Sequence, residues 1–227
     1  MDKTNARKLV ITIDGPAGAG KSTVARIAAD KLGLPYLDTG AIYRAVTWRL
    51  IQDGTAPDET EKITAALQNI SVSLSGGRVL VNGRDVTAEI RRPAIDAAVS
   101  SFSALRPVRD ALIGFQRGQA SEGLVADGRD MGTVVFPDAD LKIFLTADAE
   151  ERARRRYKER VERGENADFD EILKYVNERD LCDMNREIAP LRPAPGCVIL
   201  DSTKMTIEEV TDVIVSLARE LGAGKEI

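Results

Sequence analysis

The chain has 227 residues, with 32 lysines and arginines against 36 aspartates and glutamates, and its formal net charge is −4. This length can hold one sizeable α/β core with an insertion, but not two full domains joined by long linkers. A mildly acidic chain is poorly suited to coating nucleic acid, because that binding depends on counterion release by basic side chains. We therefore expect no nucleic-acid partner. The chain contains no histidine, which excludes histidine general bases and leaves carboxylates, lysine and arginine to carry any chemistry.

The two cysteines and the N-terminal residues bear on the location of the protein. Cys182 and Cys197 are the only cysteines of the chain, and residues 1–8 are polar. The apolar run at residues 9–13 is far too short for a membrane span or for the core of a signal peptide. We expect a reduced, cytoplasmic setting, no membrane partner and a monomeric chain.

The first part of the chain alternates between short apolar runs and helical patterns. Gly33 follows one of the helical patterns directly and is a typical helix end. Apolar spacing in this part predicts a buried strand at 9–13, a helix at 21–32, a weak strand at 34–37, and helices at 41–52 and 59–68.

A different pattern begins at residue 70. Apolar residues alternate strictly over 70–74 and resume their alternation after Gly76 and Gly77, and Asn82-Gly83 marks a second turn. Alternation broken by such turns predicts a three-stranded antiparallel meander that ends near residue 87. Because the meander interrupts a βαβ rhythm, we interpret residues at about 60–100 as an inserted β subdomain.

The remainder of the chain returns to the βαβ rhythm and closes with an amphipathic helix. It predicts helices near 93–103 and 106–120, buried strands at 123–127, 141–145 and 197–201, a charged helical stretch at 150–185 that is broken near 164–168, and a last helix at 206–221. Together these elements predict an α/β fold with a five-stranded parallel sheet and helices on both faces. Two segments lie outside this core, the β subdomain and the charged helical stretch.

Residues 15–22 match the phosphate-binding pattern G-x-x-x-x-G-K-[ST] in full. A predicted strand precedes this P-loop and a helix follows it, which is the context that the pattern requires. Glycines let backbone N–H groups face the phosphates, and the helix N-terminus adds a positive end. We expect Lys21 to reach the β- and γ-phosphates and Ser22 to offer its hydroxyl to Mg²⁺. The predicted ATP-binding residues are Gly15, Pro16, Ala17, Gly18, Ala19, Gly20, Lys21, Ser22 and Thr23.

A triphosphate site alone does not distinguish GTPases, motor and transport ATPases, and small-molecule kinases. A GTPase should carry an N/T-K-x-D guanine motif, and no lysine of this chain is followed two places later by aspartate. Phosphoryl transfer needs positioning and charge neutralisation more than covalent catalysis, so it suits a chain without histidine. The sequence therefore favours a kinase.

Two further segments are more specific than the P-loop. They are D-T-G-A-I-Y-R at 38–44 and D-G-R-D-M-G-T-V-V-F-P at 127–137. Together with I-A-P-L at 188–191 and D-S-T at 201–203, they resemble the bacterial cytidylate kinase family of nucleoside monophosphate kinases. The resemblance covers nearly the whole chain.

The resemblance implies a single P-loop kinase domain over residues 1–227. Within it, residues 38–120 would form the monophosphate-binding region that contains the β insertion, and residues 150–186 would form a helical lid. The implied reaction transfers the γ-phosphoryl group of ATP, with Mg²⁺ as cofactor, to CMP or dCMP. UMP would be a poorer acceptor, and the products would be CDP or dCDP and ADP.

The resemblance also implies which residues bind the acceptor. Two alternatives stay open: that Tyr43 is a core residue, and that Ser100 is an ordinary helix residue. Arg106 is an alternative to Arg109, because the two arginines lie close together in the chain. Adjacent helix residues do not share a face, so Tyr43 and Arg44 are expected to serve different parts of the site. The implied CMP-binding residues are Thr39, Tyr43, Arg44, Ser100, Arg109, Arg129, Asp130, Asp183 and Arg186.

Asp127 falls at the carboxyl end of a predicted buried strand, where open α/β sheets place their ligands. This position suits a carboxylate that holds a Mg²⁺-bound water. The predicted metal site therefore consists of the Ser22 hydroxyl and, through water, Asp127.

A basic run lies in the predicted lid. Residues 150–163 hold seven basic and four acidic side chains, and most such charges stabilise a solvated helix through i,i+4 pairs. Arginines that close over a phosphoryl group also stabilise the charge of the transition state. The predicted catalytic residues are Lys21, Arg129, Arg154 and Arg179, with the choice among Arg154, Arg155 and Arg156 left open.

Two other interpretations share the P-loop. A kinase for dTMP or shikimate should lack the paired segments at 38–44 and 127–132. A non-enzymatic ATP-binding switch should lack a second site that collects anions, and Arg44, Arg129 and Arg186 argue for such a site.

Overall fold

The computed structural model describes residues 8–222 of the chain. The chain divides into two compact units, one formed by Asp38–Gly118 and the other by the described residues before and after that segment. No helix within residues 8–222 is both long enough and apolar enough to cross a bilayer. The domain roles assigned from sequence to residues 38–120 and 150–186 stay predictions.

Eight strands and eight α-helices make up the described chain. The strands are β1 (Val10–Asp14), β2 (Tyr36–Asp38), β3 (Val72–Ser75), β4 (Arg78–Val81), β5 (Arg84–Asp85), β6 (Leu124–Gly128), β7 (Leu141–Thr146) and β8 (Val198–Asp201). The helices are α1 (Lys21–Leu32), α2 (Thr39–Gln52), α3 (Thr60–Leu67), α4 (Pro93–Ser103), α5 (Arg106–Gly118), α6 (Ala149–Glu162), α7 (Phe169–Asn185) and α8 (Ile207–Glu220).

The larger sheet has the strand order β2-β6-β1-β7-β8, and β1 pairs in parallel with both β6 and β7. Side chains alternate across β1. Ile11 and Ile13 are fully buried in the core that α1 and α8 cover, whereas Thr12 and Asp14 face the other side, where a one-turn π-helix, Met131–Val135, lies against the strand. This confirms the α/β class and the five-stranded parallel sheet.

The second strand is shorter than the sequence pattern suggests. Residues 34–37 predict it, but β2 begins at Tyr36. The Leu34 amide still bonds to the carbonyl of Ala29 as part of the glycine cap that ends α1, and Pro35 has no amide hydrogen to give to a neighbouring strand. Pro35 joins the sheet only as an acceptor, from the amide of Val125 at 2.8 Å.

In the unit Asp38–Gly118, the three-stranded meander β3-β4-β5 is antiparallel as predicted. Val79 and Val81 pack against α2 through Ala45 and Trp48. The first strand starts at Val72, two residues later than its apolar pattern. Asn82 explains this shift, because its side chain and backbone bond to the segment just before β3 and turn it into a loop.

The charged stretch folds into α6 and α7, which pack on each other through Ala153, Ile172 and Val176. The interruption between them ends at Asp168, whose side chain accepts a hydrogen bond from the amide of Glu171 and caps α7. Both helices therefore form a pair in which a few small and branched residues are buried and most charges are exposed.

Candidate active site

The P-loop connects β1 to α1, and its backbone conformation requires glycine. A Cβ atom on Gly15 would lie 1.9 Å from the carbonyl oxygen of Leu145, and the φ of Gly15 is +151°. Gly20, the N-cap residue before α1, has a φ of +86°, in the left-handed region that favours glycine. The remaining predicted loop residues are placed between and beside these two: Pro16, Ala17, Gly18 and Ala19 in the loop, and Ser22 and Thr23, both exposed, in the first turn of α1.

Lys21 is buried at the start of α1, with 6% of its surface exposed. Its Nζ donates a hydrogen bond to the carbonyl of Pro16 at 2.7 Å. Burial, followed by the positive charge of Arg129, lowers the pKa of Lys21 well below its usual range, and Arg179 acts in the same direction. Asp127 and Asp183 act in the opposite direction, so Lys21 lies among both arginines and carboxylates.

Asp127, at the end of β6, is buried and accepts two hydrogen bonds. Ser22 Oγ donates to Asp127 Oδ2 at 2.7 Å, and the hydroxyl of Tyr36 donates to Asp127 Oδ1 at 2.8 Å. A hydroxyl and a carboxylate side by side are hard oxygen ligands, and Mg²⁺ in phosphate sites needs only one or two of these besides water and phosphate. The residues present therefore fit the predicted metal.

Asp14 joins the P-loop strand to the segment that follows Asp130. Its two oxygens accept hydrogen bonds from the amides of Met131 and Gly132, at 2.8 and 2.7 Å. Burial, with a further contribution from the charge of Asp130, raises the pKa of Asp14 to about 6. Arg129 and Asp130 directly precede Met131 and Gly132 in the chain. By binding those two amides, Asp14 fixes the backbone from which the side chains of Arg129 and Asp130 extend.

Four of the predicted acceptor residues form two ion pairs. Arg129 Nε lies 2.7 Å from Asp183 Oδ2, and Arg186 Nη2 lies 3.4 Å from Asp130 Oδ1. Burial would raise the pKa of Asp183, but the charge of Arg129 and its hydrogen bond outweigh this and lower it. Arg186 also donates to the carbonyl of Ala189. Asp183 is therefore held as an ionised acceptor.

Arg179 lies on α7, four residues before Asp183. Its Nη1 donates to the hydroxyl of Tyr175 at 3.1 Å, and its charge lowers the pKa of both Lys21 and Asp183. The structure thus brings Arg179 near the P-loop lysine, as a phosphate-facing role would require.

The structure does not favour Arg154 among the arginines of α6. The side chain of Arg154 is 62% exposed and pairs with Glu151. Arg155 bonds to Glu151 and to Ser202, and Arg156 stacks on the ring of Tyr175. The phosphate-facing role of Arg154 stays a prediction, and in this structure its guanidinium contacts a neighbouring glutamate at the surface.

Arg152, which sequence reasoning did not single out, is the arginine of α6 that reaches the P-loop. Its Nη1 donates to the carbonyl of Ala17 at 2.9 Å, and its Nη2 lies 2.6 Å from Asp180 Oδ2 on α7. Only 6% of the Arg152 side chain is exposed.

The other predicted acceptor residues lie in the unit Asp38–Gly118. Arg109, 6% exposed, stacks over the ring of Tyr43 at 5.5 Å, while Arg44 pairs with Asp96 on α4 at 3.1 Å. Tyr43 and Arg44 therefore face different partners, as expected for adjacent helix residues. Ser100 follows Asp96 by one turn and is half-buried.

Thr39 is the first residue of α2 and is 2% exposed. Asp38 caps the same helix by accepting a hydrogen bond from the amide of Ala41 at 2.8 Å. The predicted acceptor residues thus form two groups, each described within its own unit, and their joint role stays a prediction.

Sequence reasoning missed Asp14, Tyr36, Arg152 and Asp180. Asp14, Tyr36 and Arg152 each bond to a residue more than 90 positions away in the chain. Local sequence spacing therefore does not reveal these contacts. Asp14 alone carried a usable signal, because a carboxylate within an otherwise apolar strand run needs a partner when buried.

The fold and the P-loop define a P-loop nucleotide-binding protein of the kinase type. A family model described as cytidylate kinase matches residues 11–220. A cytidylate kinase of Geobacter sulfurreducens is 46% identical over 225 residues, which cover 97% of each chain. One from Caldicellulosiruptor saccharolyticus is 45% identical over 216 residues, 93% of this chain and 96% of that one.

The chain therefore belongs to the cytidylate kinase family. Among solved structures, a shikimate kinase from Acinetobacter baumannii covers 96% of both chains at 15% identity and a TM-score of 0.45; likeness at this level says nothing about substrate.

Proposed function

We propose that this protein transfers the γ-phosphoryl group of ATP to CMP or dCMP, giving ADP and CDP or dCDP, with UMP a poorer acceptor. Family membership supports the cytidine nucleotide as acceptor. The observation that carries the phosphoryl-transfer part is the cluster at the complete P-loop, where the buried Lys21 bonds to the carbonyl of Pro16 and the Ser22 hydroxyl bonds to Asp127.

The donor half of the reaction follows from that cluster. A bound triphosphate adds negative charge beside Lys21, Arg129 and Arg179, and this charge favours the protonated form of Lys21. As the bond between the γ-phosphorus and the β,γ-bridging oxygen breaks, charge grows on the bridging oxygen and on the phosphoryl oxygens. Fixed cations stabilise that charge without reorganising.

The acceptor is itself a phosphate oxygen of CMP, which forms the new bond to the γ-phosphorus. A phosphate monoester has its second pKa near 6, so most of it is already dianionic at pH 7. No general base is then needed to remove a proton. This agrees with a chain that contains no histidine.

Mg²⁺ would be held by the Ser22 hydroxyl and, through water, by Asp127. When bound, the ion neutralises part of the charge on the phosphates. Tyr36 keeps the Asp127 carboxylate oriented through its own hydrogen bond, which is a task the protein performs whether or not the metal is present.

Acceptor recognition is proposed for two groups of residues. Asp183, held ionised by Arg129, can accept a hydrogen bond from a sugar hydroxyl or from the amino group of cytosine. The O4 atom of uracil would instead present a lone pair to such a carboxylate, which supports weaker use of UMP. The remaining proposed contacts are Thr39, Tyr43, Arg44, Ser100, Arg109, Asp130 and Arg186.

The test is a coupled assay of ADP release with ATP and Mg²⁺, using CMP, dCMP, UMP, AMP, GMP, dTMP and shikimate in separate reactions. CMP and dCMP are expected to give the highest kcat/KM. The variant Lys21→Met, purified in the same way, is the blank for contaminating kinases. Faster turnover with dTMP, shikimate or a purine monophosphate than with CMP would overturn the proposal.

A further inference from the structure

Arg152 lies in the first turn of α6 and is bound on three sides. Its Nε donates to the carbonyl of Ala147 at 2.9 Å, its Nη1 donates to the carbonyl of Ala17 at 2.9 Å, and its Nη2 lies 2.6 Å from Asp180 Oδ2. A guanidinium is planar and its donors have fixed directions. The three acceptors are therefore held in one geometry relative to one another.

The hydrogen bond from Arg152 to Ala17 determines which way the Gly18 amide of the P-loop points. In a trans peptide the carbonyl of one residue and the N–H of the next point in opposite directions. Holding the oxygen of Ala17 outward therefore turns the N–H of Gly18 toward the other side. Gly18 permits this close approach, because a Cβ at that position would lie 3.1 Å from Cβ of Arg152 and 3.2 Å from its carbonyl oxygen.

The bond to Asp180 acts on α7. Asp180 follows Arg179 directly and precedes Asp183 by one turn, and Asp183 binds Arg129. Asp180 is buried, and its Oδ1 has no hydrogen-bond partner among the described residues. Its other oxygen, Oδ2, pairs with Arg152, and this contact holds the charged turn of α7 against the P-loop.

We propose that Arg152 is a positioning residue that couples the P-loop to α7, through Ala17 on one side and Asp180 on the other. It would orient the Gly18 amide for the triphosphate and set the distance of Arg179 and Asp183 from that loop. This inference rests on the proposed phosphoryl transfer for its kinetic consequences, whereas its effect on nucleotide binding does not depend on the acceptor.

Two substitutions test the contact of Arg152 with Ala17 and its contact with Asp180 separately. Arg152→Lys keeps the charge but cannot reach three acceptors with one nitrogen, so the affinity for a non-hydrolysable ATP analogue should fall about tenfold or more. Asp180→Asn leaves the Ala17 contact in place, so that affinity should stay within about twofold of wild type, while kcat falls roughly tenfold or more through misplacement of α7.

The experiment combines calorimetric binding of the analogue, the coupled assay and the ¹⁵N-resolved signal of the Gly18 amide, with thermal unfolding of each variant. Lys158→Ala, on the exposed part of α6, is the control and should match wild type in every measurement. The Gly18 signal is expected to shift in Arg152→Lys more than in Asp180→Asn.

Wild-type affinity and wild-type kcat in Arg152→Lys would overturn the proposal. So would an equal loss of analogue affinity in both variants, because the two contacts would then not act separately. If the wild-type protein phosphorylates no monophosphate, the proposed function fails, yet the binding and Gly18 measurements still decide whether Arg152 orients the P-loop.

Discussion

Asp14 offers a test of the site that needs no substrate. Asp14 is 3% exposed, and its carboxyl group accepts hydrogen bonds from the amides of Met131 and Gly132. Burial raises its pKa from an ordinary 3.8 to about 6. Replacing Asp14 with Asn removes the titration while keeping the size of the side chain and one acceptor oxygen, so it isolates the effect of the charge.

The sign of the effect follows from proton linkage. Between about pH 4 and pH 6 native Asp14 binds more protons than it does in the unfolded chain, so its contribution to the free energy of unfolding falls as pH rises. Raising the pKa from 3.8 to about 6 corresponds to roughly 3 kcal/mol at about 1.36 kcal/mol per pKa unit. The contribution is complete below the unfolded pKa and is lost above about pH 6.

The assay is urea unfolding of wild type and Asp14→Asn at pH 4, 5, 6 and 7. Because all other groups are shared, the difference in unfolding free energy, wild type minus variant, should decrease by about 2.4 kcal/mol from pH 4 to pH 7. Asp201→Asn is the control: hydrogen bonds from Thr203 lower the pKa of Asp201, so its contribution changes below about pH 4 and its difference should stay nearly constant over this range. A difference for Asp14→Asn that is constant, or that grows with pH, would refute the reasoning.

Three further predictions concern the chemistry. Lys21→Met should lower kcat roughly 100- to 1,000-fold, because it removes a fixed charge from the developing phosphoryl anion; an unchanged kcat would contradict this role. Arg44→Met should raise the KM for CMP about tenfold or more, with the KM for ATP unchanged as the internal control. Asp183→Asn should reduce the preference for CMP over UMP in kcat/KM, and a ratio equal to that of wild type would remove Asp183 from acceptor recognition.

Much of the fold could be predicted because its signals are local. Glycines at turns, alternating valines and helical spacing give β3 to β5 and the long helices within one or two residues. The strands β2 and β3 each begin two residues later than predicted, for reasons that periodicity does not include. Pro35 lacks an amide hydrogen, and Asn82 pulls the residues before β3 into a loop.

The site could be predicted only where a motif carries it. The P-loop fixes Lys21 and Ser22 by spacing alone, since the phosphate chemistry requires them there. Tyr36 is different, because its hydroxyl meets Asp127 across 91 positions of the chain. Nothing near Tyr36 in the sequence distinguishes it from a residue that merely fills the core, so only the packing of β2 beside β6 reveals it.

The arginines of α6 show how one fixed residue determines its neighbours. A helix turns by about 100° per residue, so side chains two positions apart point to nearly opposite sides. Once Arg152 is buried against Ala17 and Asp180, Arg154 must face water, and its ion pair with Glu151 agrees. The sequence prediction named Arg154 and left Arg155 and Arg156 open, and no local signal pointed to Arg152. Choosing Arg152 required its buried acceptors, and these lie in a glycine-rich loop and in another helix.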